Sequence, residues 1–292
     1  MSQTPQTIAS GHVDQATTSR SPADWLSSYE RDGYYFPVRV MEQSTAAAYR
    51  QTLEAFEAQM ADDPEIRKLA LLNAAYLLPF VDEISRLPSI LEPVSRILGP
   101  DLLVWNAGFF IKEPGTADFI SWHQDLTYWG LDESHEVTAW VALSPSTVES
   151  GCVKFVAGTH QQDIVSHRDT FDENNLLSRG QELAVDVNED EATNVLLQPG
   201  EMSLHHGKVF HGSHANGSGD RRIGLAIRFI SPDMKQTIAG KTLAKLVAGK
   251  DDFGHFNLKG QPQGVLQADD LAAVRENLRI QEEFLYAGVK KT

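Results

Sequence analysis

The chain has 292 residues, 41% hydrophobic and 22% charged, with a net charge of −15 and a single cysteine, Cys152. This is the composition of a globular protein that can bury its own core without disulfides. The acidic balance argues against nucleic-acid and membrane-surface partners, because it repels phosphate backbones and anionic lipid. No stretch approaches the roughly 18 apolar residues of a membrane span, and the net charge says nothing specific about a small-molecule substrate.

Residues 1–20 are rich in Ser, Thr and Gln and lack the apolar core of a signal peptide. They read as a disordered N-terminal arm, and the expected location is cytoplasmic. Residues 21–292 read as one domain. Ser21-Pro22-Ala23-Asp24 is a helix start, with the helix running to about Arg31 and ending at Gly33. Tyr34 to Val38 reads as a short strand. Residues 43–63 look helical, with Leu53, Phe56 and Met60 at spacings of three and four, and prolines cut 64–98 into short helices. Residues 21–100 thus form a helical layer.

The texture changes at Asp101. The run from Leu102 to Lys112 is apolar, aromatic and branched, which reads as a core strand. Further strands follow at 119–125, 137–143, 152–157, 194–197, 201–206 and 222–230, separated by Gly and Pro turns. About eight strands in 101–232 predict a mainly β fold with flanking helices, a jelly roll or cupin-like barrel whose mouth forms a ligand cavity. Residues 161–192 interrupt this rhythm with a long polar insert, a candidate lid. Residues 235–292 read as a polar tail with two C-terminal helical stretches, the stronger from Ala268 to Tyr286.

The chemistry centres on Ser121-Trp122-His123-Gln124-Asp125. Residues i and i+2 of a strand share a face, so His123 and Asp125 can enter one cavity. His211, before Gly212-Ser213 at the end of a later strand, is the third ligand candidate. Two imidazoles and a carboxylate with open positions are the set used by non-haem Fe(II) oxygenases. A zinc hydrolase or a non-catalytic, cupin-like binding protein is compatible with the same three residues. Of His205 and His206 only one can face inward, in a packing or hydrogen-bonding role. His12, His135, His160, His167 and His255 read as solvent-side. A keto-acid co-substrate also needs a fixed cation for its far carboxylate, for which a guanidinium is suited. Arg221 and Arg222 are the candidates.

The ordered series His123-Gln124-Asp125, Trp140-Val141-Ala142-Leu143, Glu149-Ser150-Gly151-Cys152, Gly158-Thr159-His160, Pro199-Gly200-Glu201 and His211-Gly212-Ser213 with Arg221-Arg222 resembles the phytanoyl-CoA dioxygenase family over roughly residues 22–232. The resemblance implies an Fe(II)- and 2-oxoglutarate-dependent oxygenase on a double-stranded β-helix, using O2 and releasing succinate and CO2. It places the iron on His123, Asp125 and His211, and the 2-oxoglutarate carboxylate on Arg222 with Ser213. Asn106 and Gln124 flank the co-substrate. Trp129, Trp140, Phe110 and Arg179 are candidates for the substrate pocket, and Trp105 and Trp122 for its dry wall. Related halogenases carry Ala or Gly where Asp125 stands. The carboxylate here therefore implies hydroxylation, desaturation, ring closure or epoxidation of a small metabolite. A monomer or homodimer is expected.

Overall fold

Three prolines open helices in the N-terminal layer. Pro64, Pro79 and Pro88 occupy first-turn positions, where a missing N–H costs nothing. In the computed structural model, residues 24–132, 135–177, 180–237 and 240–285 are described. The N-terminal arm 1–20 and Arg179 lie outside the described residues. The helices are α1 (Asp24–Asp32), α2 (Gln43–Gln59), α3 (Pro64–Leu72), α4 (Ala74–Leu77), α5 (Pro79–Ser85), α6 (Pro88–Leu98) and α7 (Ala268–Leu285). The strands are β1 (Tyr34–Arg39), β2 (Leu102–Lys112), β3 (Ile120–His123), β4 (Glu136–Ala142), β5 (Lys154–Val156), β6 (His167–Asp169), β7 (Gln181–Leu183), β8 (Ala192–Asn194), β9 (Glu201–His205), β10 (Phe210–Ser213), β11 (Arg222–Ile230), β12 (Leu243–Ala248) and β13 (Asn257–Leu258).

The fold is mainly β with flanking helices. A seven-stranded sheet runs β1-β9-β4-β11-β2-β12-β13, and a four-stranded sheet runs β3-β10-β5-β8. Period-2 alternation on β11 separates two environments. Ile223, Leu225, Ile227 and Phe229 are fully buried and join Leu53, Phe56, Ile84 and Ile90 of the helical layer in one apolar core. Each such side chain contributes about 2 kcal/mol on burial. The alternate residues, Arg222, Gly224, Ala226 and Arg228, belong to the other face of the sheet. Of these, Ala226 and Arg228 line a cavity with Ile120, His123, His211 and Ser213 of β3 and β10.

The insert 161–192 is not structureless, since β6 and β7 pair within it. With them, the described residues hold ten strands between β2 and β11 rather than about eight. The tail also departs from expectation. Of the two helical stretches expected in it, the described residues show one, α7, and Leu243–Ala248 is β12, which pairs antiparallel with β2. Its Leu, Ala and Lys residues favour a helix intrinsically, but six residues cannot stabilise one alone, and the open edge of β2 supplies backbone partners.

Candidate metal centre

The β3–β10 ladder brings the two histidines together. His123, the last residue of β3, is the direct cross-strand partner of His211, and their ring centroids lie 4.0 Å apart. Asp125 does not share a strand with His123. It opens a 3₁₀ turn, Asp125–Tyr128, and that bend, rather than strand alternation, aims the carboxylate inward. One ligand atom from each of the three residues lies within 4.8 Å of the others, and all three residues are buried.

The hydrogen-bond partners fix the ring tautomers. His123 Nδ1 lies 2.9 Å from the Ser121 carbonyl and His211 Nδ1 lies 3.0 Å from the Val209 carbonyl. A carbonyl only accepts, so each Nδ1 carries the proton and each Nε2 presents a lone pair. Those lone pairs face Asp125 Oδ1 at 3.4 Å and 3.9 Å. Burial pushes His211 well below the usual imidazole range, with the neighbouring His123 adding to the effect. Burial alone would raise the Asp125 carboxyl. Contacts with the His123 and His205 rings and the charge of Arg228 outweigh it and hold the group well below the usual carboxylate range. Two imidazole nitrogens and a carboxylate therefore converge on one buried point. These residues fit a divalent metal.

A second polar group sits on the same inner face, at the other end of β11. Arg222 is fully buried. Its Nη1 donates to the Gly151 carbonyl at 3.2 Å, while Nε and Nη2 have no partner among the described residues. The Trp140 ring lies 5.3 Å from the guanidinium. Lys112, opposite Arg222 across the β2–β11 ladder, is buried too and donates to Ser213 Oγ at 2.6 Å and to the His214 carbonyl. Burial and the adjacent Arg222 pull the Lys112 amine down to about 6. Neither cation pairs with a carboxylate among the described residues. The unpartnered Nε and Nη2 of the buried Arg222 are costly, and an incoming carboxylate would satisfy them and favour the charged form of Lys112.

Two cavities meet at the metal residues. The inner one, about 30 Å³, is lined by Phe110, Trp140, Ser213, Thr138 and His205 beside the three candidate ligands. At that size it holds little more than a water molecule, so a co-substrate enters only as side chains move aside. The outer cleft, about 1600 Å³, includes Trp105, Asn106, Phe110 and Trp129 and shares His123, Asp125 and Arg228 with the inner cavity.

The structure thus brings together His123, Asp125, His211, Ser213, Asn106, Phe110, Trp129 and Trp140. Arg222 stands behind Trp140. Gln124 lines neither cavity. Its side chain donates to the Lys208 carbonyl and accepts from the Val165 amide, a tie between loops. Trp122 is also outside, with its indole near Glu189. Arg221 is engaged by Glu57 and Glu113. His167 is not solvent-side. It is half-buried, and its Nε2 accepts the Gln124 backbone N–H at 3.1 Å. Of the adjacent pair, His205 is the one facing inward, 3.9 Å from Asp125 Oδ2.

Lys112, Arg228, Thr138 and His205 were not among the expected site residues. A signal for one of them existed. Arg222 and Arg228 are six residues apart on one apolar strand, so period 2 puts both on the face opposite the core.

The sequence profile described as "Phytanoyl-CoA dioxygenase (PhyH)" matches residues 29–224. A probable alpha-ketoglutarate-dependent hypophosphite dioxygenase of Stutzerimonas stutzeri is 27% identical over 157 residues, 52% of this chain and 54% of that protein. Human peroxisomal phytanoyl-CoA dioxygenase is 27% identical over 154 residues, 50% of this chain and 45% of that protein. The chain thus spans about half the length of these curated relatives. Among solved structures, the non-heme monooxygenase ThoJ, in its apo form, superposes with a TM-score of 0.80 at 28% identity, covering 91% of this chain and 99% of that one. The profile match takes in His123, Asp125, His211 and Arg222 and spans more than half of the sequence, and on that basis the chain belongs to the phytanoyl-CoA dioxygenase family.

Proposed function

We propose that this protein is an Fe(II)- and 2-oxoglutarate-dependent oxygenase that oxidises an unactivated C–H bond of a small metabolite. The observation that carries the reading is the convergence of two imidazoles and a carboxylate, all buried, beside two buried basic side chains that lack a carboxylate partner among the described residues. His123, Asp125 and His211 hold the metal on one face. Arg222 and Lys112, with Ser213 between Lys112 and the metal residues, receive the far carboxylate of 2-oxoglutarate. When bound, the iron, 2-oxoglutarate and O2 together supply the oxidising power, with succinate and CO2 released. A zinc hydrolase would have no use for two buried basic side chains without a carboxylate partner.

The remaining residues orient and dry the site. Trp105 and Trp129 pack with centroids 5.2 Å apart, and with Phe110 they form an apolar wall between the metal residues and the cleft. Asp125 supplies the third ligand, which favours oxygen insertion over halogenation. Residues 171–173, 175–177 and 180–181 line the cleft, and the insert that contains them serves as its cover. Residues 21–292 act as one oxygenase domain, as a monomer or homodimer in the cytoplasm. No helix among the described residues is long and apolar enough to cross a membrane. The net charge of −15 disfavours nucleic acid as a partner.

Anaerobic addition of Fe(II) and 2-oxoglutarate should produce a weak visible charge-transfer band, and admission of air should release succinate slowly. Absence of both signals overturns the reading.

A further inference from the structure

Four strands carry one polar row across the inner face of the large sheet. Asn106 of β2 pairs with Arg228 of β11, Arg228 with Thr138 of β4, and Thr138 with His205 of β9. Each of the four has a buried polar atom with no hydrogen-bond partner among the described residues: Asn106 Oδ1, Arg228 Nε, Thr138 Oγ1 and His205 Nδ1. Such atoms are rare in native interiors and call for an explanation. Four in one cross-strand row beside a cavity point to a missing polar ligand.

Arg228 is the charged member of this row. Its guanidinium lies 5.7 Å from the Phe110 ring centroid and 5.3 Å from that of Trp129. The rings fix its position without using its N–H groups. It makes no ion pair among the described residues, and it lines both the inner cavity and the outer cleft together with His123 and Asp125. Asp125 and the buried Glu136 act on Arg228 only through space, and its Nε has no hydrogen-bond partner among the described residues. A guanidinium offers a planar fork suited to two oxygens of one anion.

We infer that Arg228, with Asn106 and Thr138 beside it, binds an anionic group of the substrate, a carboxylate or a phosphorus oxyanion, at the junction of the cleft and the metal residues. Calling this anion part of a substrate rests on the oxygenase reading, whereas the anion site itself does not. Arg228 is then the specificity-determining residue. It selects molecules that carry an acidic group close to the oxidised carbon.

Trp105 and Trp129 give a fluorescence readout for the test. Butyrate, phosphite and the neutral butyramide are titrated against metal-free protein, and again anaerobically with Fe(II) and 2-oxoglutarate bound. Wild type, Arg228→Gln and Arg228→Lys are compared, with thermal melts to confirm folding. Saturable binding of butyrate or phosphite, but not butyramide, is expected in wild type. Binding should weaken at least tenfold in Arg228→Gln and be partly retained in Arg228→Lys, with 2-oxoglutarate affinity unchanged. The butyrate and phosphite arms separate the two anion classes. The inference is overturned if Arg228→Gln binds the anions like wild type, or if butyramide binds equally well. It is also overturned if Arg228→Gln loses 2-oxoglutarate affinity, which would place Arg228 in the co-substrate site. If no charge-transfer band forms in wild type, the oxygenase reading fails, while the metal-free titration still decides the role of Arg228.

Discussion

His123 and His211 are direct partners in the β3–β10 ladder, so the two imidazoles are placed by backbone pairing and not by loop conformation. Sites built on strands are held more precisely than sites built on loops. His211→Ala should therefore abolish the Fe(II)–2-oxoglutarate band and lower metal affinity by on the order of 100-fold or more. His206→Ala should keep the band, because His206 turns away, accepting the Lys208 amide at 3.0 Å and lying 3.5 Å from Glu136. The reverse pattern would move the third ligand to His206. Asp125→Asn should lose metal and also destabilise the metal-free protein, because the folded site holds this carboxyl below its usual range and so favours its charged form. Urea unfolding of the metal-free variant measures this.

Arg222 and Lys112 predict a proton-linked co-substrate site. In the empty site the Lys112 amine is pulled down to about 6, so it is largely neutral at pH 7.5. A carboxylate arriving beside it favours the charged form. Binding of 2-oxoglutarate at pH 7.5 should then take up close to one proton, seen by calorimetry in buffers of different ionisation enthalpy. Lys112→Met should remove the uptake. Arg222→Gln should weaken 2-oxoglutarate by roughly 2–4 kcal/mol, the usual loss when one partner of a buried charged pair is truncated.

Much of this was legible in the sequence, for identifiable reasons. β2 and β11 were readable to the residue because a long apolar run bounded by Gly and Pro has one interpretation. The convergence of His123 and Asp125 with His211 was readable because His-x-Asp sits in an aromatic stretch followed by a distal His-Gly-Ser. What escaped depended on tertiary pairing. β12 is a strand only because the edge of β2 is free. Lys112 looks like the polar end of a strand until Ser213 and His214 are seen to cover it. His167 sits in a polar insert, and only the β6–β7 hairpin carries it back to Gln124.

Gly224 couples packing to the co-substrate site. A Cβ at this position would lie 1.8 Å from Trp140 Cζ2, and Trp140 faces Arg222. Gly224→Ala should push the indole out of place, cost about 1–3 kcal/mol of stability, and raise the KM for 2-oxoglutarate. Trp140→Phe combined with Gly224→Ala should recover part of the stability. If the single variant keeps wild-type KM and melting behaviour, the contact is unimportant.

His167 predicts acid sensitivity of the metal-free fold. Its Nδ1 donates to the Val165 carbonyl and its Nε2 accepts from Gln124 N, so it is bound in the neutral form. Burial, the leading cause, lowers it from 6.5 to about 4. The unfolded chain therefore takes up a proton first as pH falls. The stabilisation is fully present above pH 6.5 and is lost as pH drops through about 4. Denaturant unfolding between pH 7 and 4 should show a steeper decline for wild type than for His167→Gln. Equal slopes would mean that the decline comes from other buried imidazoles such as His206, lowered by burial to about 3.

The cover over the cleft gives the last prediction. Phe171 is 62% exposed although it is a large apolar residue, and it lines the cleft with Asn175 and Leu176. The segment is tied to the site by few bonds. The Asn175 amide donates to Ser121 Oγ at 2.8 Å, the Leu176 backbone N–H donates to the Phe119 carbonyl at 3.0 Å, and the Phe119 N–H donates to the Asn174 carbonyl at 2.9 Å. Ser121 also donates to the Gln181 carbonyl and so links the cover to the strand that ends in His123. Segments held by few buried contacts open at low free energy, and occupation of the cleft should close this one by burying Phe171. Limited proteolysis should cut within 161–192 in the free protein and be slowed several-fold by the metal, 2-oxoglutarate and an anionic occupant together. Asn175→Ala should cut faster in the free state and lose part of that protection. Cleavage that is indifferent to ligands in both proteins would reduce the insert to a static wall of the cleft.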